Sequence, residues 1–200
     1  MEKNSDQPHV AIIPSAGMAH LVPSLRLAAT LAAHGCTVSV VSYHTTVSSS
    51  ESLHFARFFS QYTHIRHLPF HLLPLPPSVS CPDPFFLHVE AIRRSAHLLP
   101  PLLASASSPL SAVVTDVTLA SVVTSLSLPF PKYICFIASA AMLSFLAAYP
   151  AAISAAEFDI PGFASPIPSS SIPPMLHNPA TSSPPNSSRT GGRLWRPVGS

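Results

Sequence analysis

Short apolar runs alternate with stretches of helical spacing along most of this chain. Val10 to Pro14 is an apolar run too short for a helix and closed by proline. Gly35-Cys-Thr-Val-Ser-Val-Val-Ser42 is a second run, rich in β-branched residues. Both predict buried strands. Between them, from about Leu21 to His34, apolar residues return at helical intervals, which makes a strand–helix–strand opening. Thr45 or Thr46 is positioned to cap a helix from near Val47, whose apolar side carries Leu53, Phe55, Phe58, Phe59 and Tyr62. Ile65 to Phe70 predicts a third strand, and the proline-rich stretch Leu73 to Pro84 a loop.

The alternation continues beyond that loop. Phe85 to Leu99 has Phe85, Val89, Ile92, Ala96 and Leu99 on one helical face, with Glu90, Arg93 and Arg94 turned away, until Pro100-Pro101 ends or kinks it. Ser111 to Asp116 predicts a strand, Val117 to Leu126 a helix, Phe130 to Ile137 a strand and Ala138 to Tyr149 a helix. The expected class is α/β: a doubly wound parallel sheet with helices on both faces, filling one domain over residues 8–160. Residues 161–200 are dense in proline and serine without apolar period, and predict an extended strap and a disordered end.

Composition narrows the picture. Only 9% of the residues are charged, against about a quarter in an ordinary soluble domain. The apolar supply is ample for a core, and the surface must rely on serine, proline and histidine. A net charge of +2 with no basic run argues against a nucleic-acid partner. Met1 to Pro8 is polar, without the apolar core of a signal peptide. Cys36, Cys81 and Cys135 are an odd number without paired spacing and read as reduced thiols, so a cytoplasmic location is expected. Tyr133 to Ala156 is uncharged and long enough to cross a bilayer. Ser139, Ser144 and Pro150 interrupt it, so a strand followed by a buried helix is expected, and no membrane span.

Two residues stand where chemistry is expected. His20 falls at the turn after the first strand and Asp116 closes a later one; in open α/β sheets ligands bind at such carboxyl ends. A helix N-terminus beside His20 would push its pKa down. A histidine paired with a carboxylate is a base with a fixed tautomer, suited to taking a proton from a hydroxyl. The plainer alternatives are a structural histidine and an aspartate that only caps the next helix. The turn at Ala16, Gly17 and Ala19 lacks the G-x-G-x-x-G fingerprint, so no dinucleotide or other cofactor is assigned. His64, His67 and His71 have unsuitable spacing for a metal site, and none is expected. His44, His54 and His88 read as surface or pocket-wall residues. Phe85, Phe86, Met142 and Phe145 are candidates to line an apolar substrate pocket, with core packing as the alternative.

Ile12-Ile-Pro-Ser-Ala-Gly-Met-Ala-His-Leu-Val-Pro23, Val113-Val-Thr-Asp116 and Ser165-Pro-Ile-Pro-Ser-Ser-Ser-Ile-Pro-Pro174 together resemble the amino-terminal half of plant UDP-dependent glycosyltransferases, with the flavonoid C-glucosyltransferase branch the nearest likeness. The resemblance runs from about Pro8 to Pro174. It implies the two-domain GT-B fold, in which this half is the Rossmann-like acceptor-binding domain. It also implies that His20 is the catalytic base and Asp116 the acid that orients it. The base would take a phenolic proton, and the acceptor would attack the sugar of UDP-glucose through oxygen or the adjacent ring carbon, with inversion. The expected partners are a phenolic acceptor, a UDP-sugar as co-substrate and a full-length relative. The family's usual glycine before the histidine is Ala19 here, which would crowd a turn that needs positive φ. The family's donor-binding signature lies in a carboxyl-terminal domain not found in these residues, and Arg189 to Ser200 resembles neither domain. Little or no transferase activity is therefore expected of these 200 residues alone. A non-enzymatic flavonoid-binding or dimerising module is the alternative. Lack of a phosphate loop and of a nucleophile elbow weighs against another nucleotide-sugar or a hydrolytic enzyme.

Overall fold

The computed structural model describes residues 7–79, 81–152 and 157–172. Within these, residues up to Pro77 and Cys81–Ile137 form one compact unit, and the residues from Ala138 onward, with Ser78 and Val79, form a second. The first unit thus closes at Ile137, ahead of the boundary at 160 that the sequence suggests.

The first unit is built on a five-stranded sheet in the order β3-β2-β1-β4-β5, with every pairing parallel. Its strands are β1 (His9–Ile13), β2 (Thr37–Tyr43), β3 (Arg66–Phe70), β4 (Ala112–Asp116) and β5 (Lys132–Cys135). β1 is buried along its whole length, and its alternate residues feed two cores, as the two-residue period of a strand requires. Val10 and Ile12 pack with Leu21 and Leu25 of α1 (Met18–Ala33) and with Phe55 and Phe58 of α2 (Ser49–Gln61). Ala11 and Ile13 pack on the opposite face with Ile92 of α3 (Pro84–Ser95), Leu99 of α4 (Leu99–Ala104) and Val123 of α5 (Ala120–Ser125). The expected helix-covered parallel sheet is present, and its strand order reverses direction between β1 and β4. In such sheets that reversal opens a crevice at the carboxyl ends of the strands.

Several local expectations change. α1 begins at Met18, three residues before Leu21, so His20 is the third helical residue. Gly17 is its N-cap, at φ +85°, a conformation that glycine takes without a Cβ penalty. Ala19 is helical, so no positive φ is asked of it and its methyl group does not crowd the turn. The cap of α2 is Ser48, whose hydroxyl accepts from the Glu51 N–H at 3.3 Å. Thr46 instead bonds Ser48 O and Ser52 Oγ. After α3 a 3₁₀ turn (Ala96–Leu98) intervenes, and Pro100 and Pro101 stand in the first turn of α4. There the missing N–H groups cost nothing. Glu90 is buried rather than turned to solvent, and it receives Arg93 Nε at 2.6 Å and Arg94 Nε at 2.8 Å. His88 is also buried.

The second unit contains α6 (Ala140–Ala152) and a short antiparallel pair, β6 (Glu157–Phe158) with β7 (Ile167–Pro168). Phe145, Ile160 and Ile172 form its small core. The part of the proline-rich strap within the described residues is therefore not merely extended: it contains β7 and a 3₁₀ turn at Ser169–Ser171. The expected disordered end, from 173 onward, lies outside the described residues. No helix among the described residues is long and apolar enough to cross a membrane.

Candidate active site

β1 and β4 are neighbours, with Ile13 beside Thr115, so the chain leaving β1 and the last residue of β4 meet at one end of the sheet. His20 Nδ1 lies 3.0 Å from Asp116 Oδ2 across this junction. The Asp116 side chain is wholly buried, while that of His20 keeps 23% of its surface. The other carboxylate oxygen, Oδ1, accepts from Thr118 N–H at 2.9 Å and from Thr118 Oγ1 at 2.7 Å. A hydroxyl has one proton, and a carboxylate offers none, so Thr118 donates to Asp116 and accepts from Ser15 Oγ at 2.6 Å. Asp116 thus both caps the turn that follows it and pairs with His20. The two sequence alternatives for this residue are not exclusive.

The electrostatics reverse one expectation. The hydrogen bond that His20 donates to Asp116, helped by the carboxylate's charge, raises the His20 pKa above the ordinary imidazole value against the opposing effect of burial. A carboxylate at contact distance outweighs the helix terminus that was expected to lower it. Burial works against ionisation of Asp116, but the bonds from His20 and Thr118 outweigh it and hold the carboxyl below its usual value. With the acid charged, the Nδ1 proton stays on its side of the ring and the lone pair is on Nε2. His20 Nε2 makes no hydrogen bond among the described residues.

The surroundings are apolar. The Phe85 ring centroid is 5.7 Å from that of His20, and Phe86 stands edge-on to Phe85 at 5.3 Å. Tyr43 donates its hydroxyl to Pro14 O at 2.7 Å, bracing the end of β1. Burial and the Asp116 charge push its pKa up. Cys135, in register with Asp116, has its thiol pKa raised by burial and by that carboxylate, which makes it a poor nucleophile. Met142 and Phe145 belong to the second unit, the first 44% exposed and the second packed on Ile160.

The other histidines lie elsewhere. His67 bonds Ser42 and leans on Phe59, while His71 stacks on His44 with centroids 4.0 Å apart. Among the described residues no three His, Cys, Asp or Glu side chains converge as a metal site. Two hollows of about 640 and 550 Å³ are lined by Ile65 and Arg66 before and at the start of β3, and by Leu110 and Phe130 ahead of β4 and β5. They flank the amino ends of these strands, opposite the end that carries His20.

Ser15, Thr118 and Glu51 were not singled out from sequence. Thr118 was legible in principle, since Asp-x-Thr after a strand is a turn signal in which the aspartate accepts from the residue two places on. A Thr118→Val variant keeps the N–H bond and loses the hydroxyl. It is expected to raise the Asp116 pKa and to cost roughly 1.5–3 kcal/mol of stability, the worth of a hydrogen bond to a charged group. Carboxyl ¹³C titration and urea unfolding of the variant check both.

Comparison with known proteins places this chain in a family. No protein-family model matches the chain. UDP-glycosyltransferase 708G2 of Citrus unshiu is 50% identical over 184 residues, which is 84% of this chain and 38% of the relative. UDP-glycosyltransferase CGT of Oryza sativa subsp. japonica is 46% identical over 86% of this chain and 39% of its own length. The solved structure of LpCGTa in complex with UDP superposes with a TM-score of 0.76 at 43% identity, covering 86% of this chain and 41% of that one. The chain spans about two-fifths of the length of these relatives. Its sheet matches the amino-terminal domains of GT-B glycosyltransferases. A parallel sheet of this order, with these levels of identity to the 708 and CGT enzymes, makes the chain a member of the plant UDP-glycosyltransferases.

Proposed function

We propose that this chain supplies the acceptor half of a C- or O-glucosyltransferase, with UDP-glucose as donor and a phenol of flavonoid type as acceptor. The observation that carries the reading is the 3.0 Å contact of His20 Nδ1 with the buried Asp116 carboxylate. That pairing leaves Nε2 as the basic atom on the more open side of the ring. The acceptor hydroxyl gives its proton to Nε2. The phenolate then forms a bond to the anomeric carbon through its oxygen, or through the electron-rich ring carbon beside it. The bond from that carbon to the UDP oxygen breaks with its electron pair, UDP leaves, and configuration inverts. In attack through carbon, the displaced ring proton is lost afterwards and the aromatic ring is restored. Asp116 stabilises the imidazolium that forms on the way.

Phe85, with Phe86 behind it, is suited to packing against a flat aromatic acceptor beside His20. Met142 remains a proposed acceptor contact of the second unit taken by itself, whereas Phe145 is buried against Ile160 and fills that unit's core, the packing role given as the alternative for it. The donor's nucleotide is assigned to the part of the relatives that these residues do not span, with no other cofactor, and the cytoplasm is the proposed compartment.

The test is a graft that joins residues 1–172 to the remaining carboxyl-terminal part of UDP-glycosyltransferase 708G2 of Citrus unshiu. The graft is expected to transfer glucose to a phenolic acceptor and to lose transfer on His20→Ala. The 200 residues alone are expected to give none. Transfer that survives His20→Ala, or turnover by the 200 residues alone, would overturn the reading.

A further inference from the structure

α1 starts without the usual means of holding its first turn. Its N-cap is Gly17, which has no side chain to accept a hydrogen bond, and its first turn has no acidic residue. In a capping box the third helical residue reaches back to the N–H of the N-cap. In α1 that third residue is His20, and its ring is turned to Asp116 instead. The vacant role is filled from another helix: Glu51 Oε1 accepts the Gly17 N–H at 2.9 Å.

Glu51 is 4% exposed and is the third residue of α2, whose N-cap is Ser48. Ser-x-x-Glu reads as a local capping box, and the forward half is present in the Ser48 contact with Glu51 N–H. The return half is diverted. Rather than reaching Ser48 N–H, the carboxylate takes Gly17 N–H on one oxygen and Val47 N–H, at 3.2 Å, on the other. A buried acid is thereby satisfied by backbone donors from the two loops that leave β1 and β2.

We infer that Glu51 is a positioning residue for His20: by holding the N–H of Gly17, its carboxylate fixes the turn that presents the imidazole to Asp116. Gly17 carries the turn at φ +85°, and a Cβ there would stand 3.7 Å from His20 Cδ2 and 3.8 Å from Phe85 Cδ2. The tethered residue thus lies directly beneath the histidine and its aromatic neighbour. The consequence for catalysis rests on the reading of His20 as the base; the positioning itself does not.

The experiment is a ¹⁵N-detected titration of His20 in the 200-residue protein, following its midpoint and the share of the Nδ1–H tautomer. In Glu51→Ala both are expected to fall, the midpoint toward the ordinary imidazole value of about 6.5. Glu51→Gln, which has nearly the same shape, guards against loss of folding. Its amide has one acceptor oxygen for two N–H donors, so it is expected to give a smaller shift in the same direction. Ser48→Ala removes the cap of the same helix without touching Gly17, and is expected to lower the melting temperature while leaving the His20 titration unchanged. An unchanged His20 in the Glu51 variants, or an equal shift in Ser48→Ala, overturns the proposal. Because the titration reads the imidazole itself, a failed transferase reading and a failed positioning role give different results.

Discussion

Changing Asp116 to asparagine is expected to lower kcat for sugar transfer by about 10³–10⁴-fold in the grafted enzyme, the scale on which a histidine base loses its function when its tautomer is wrong. The reason lies in the acceptor count. Asp116 offers one oxygen to His20 and the other to Thr118 N–H and Oγ1. Asparagine has a single oxygen. The Thr118 N–H is a backbone donor that cannot turn away, so the oxygen stays with it and the NH₂ group faces His20. Nδ1 must then accept, the ring proton moves to Nε2, and the atom that should receive the acceptor's proton already carries one. The same change removes the charge that raises the His20 pKa, so the ring also becomes a weaker base. A pH–rate profile and the ¹⁵N shifts of His20 separate the two effects. An asparagine variant within tenfold of the parent would mean that the carboxylate does not set the tautomer.

The second large effect concerns stability in weak acid and falls on His88. Its ring is buried edge-on against Tyr43 with centroids 4.9 Å apart, and its Nε2 has no hydrogen-bond partner among the described residues. Burial pushes its pKa down from 6.5 to about 4. Between those values the unfolded chain binds a proton that the folded chain refuses, so stability falls as pH falls. From pH 7 to pH 5 the loss expected from this one ring is roughly 2 kcal/mol.

The titrations of His20 and Asp116 do not imitate it. His20, with a raised pKa, contributes stability that is complete below 6.5 and fades only as pH rises through its folded value. Asp116, with a lowered pKa, loses its contribution only below 3.8. His9 and His67 are also lowered by burial and act in the same direction, so the share of His88 is read from the difference between variant and parent. Urea unfolding at the two pH values is expected to show His88→Phe losing clearly less than the parent. Equal losses would place the acid sensitivity elsewhere.

What could be read in advance followed the distance over which each signal acts. His20 and Asp116 were legible because one follows and the other closes a strand of buried, largely β-branched or apolar residues, and strand ends in a parallel sheet gather at one side. Glu51 was not, because Ser48-x-x-Glu51 looks locally complete, while the donor it serves is Gly17, 34 residues earlier in the chain. Helical period found the start of α3 but ran it past Ser95 into the 3₁₀ turn, and it misread Glu90, since spacing names a face and not the arginines that let an acid be buried there. His88 was misjudged for a related reason: an imidazole nitrogen without a partner is costly to bury, and only the packing against Tyr43 shows that the cost is borne. The small β6–β7 pair escaped notice because proline in a two-residue edge strand leaves almost no periodic trace.

The placement of β1 between β2 and β4 also governs when the site can exist. His20 leaves the ribosome 96 residues ahead of Asp116. During that interval β1 and β2 can pair, and α1 and α2 can cover one face. The other edge of β1 stays open, because the strand that fills it has yet to be made. Such an edge is a template for wrong pairing while it waits. Insertion of β4 closes the edge and delivers the carboxylate in a single event. A nascent chain therefore holds an imidazole with neither its tautomer nor its basicity set until synthesis has passed Asp116.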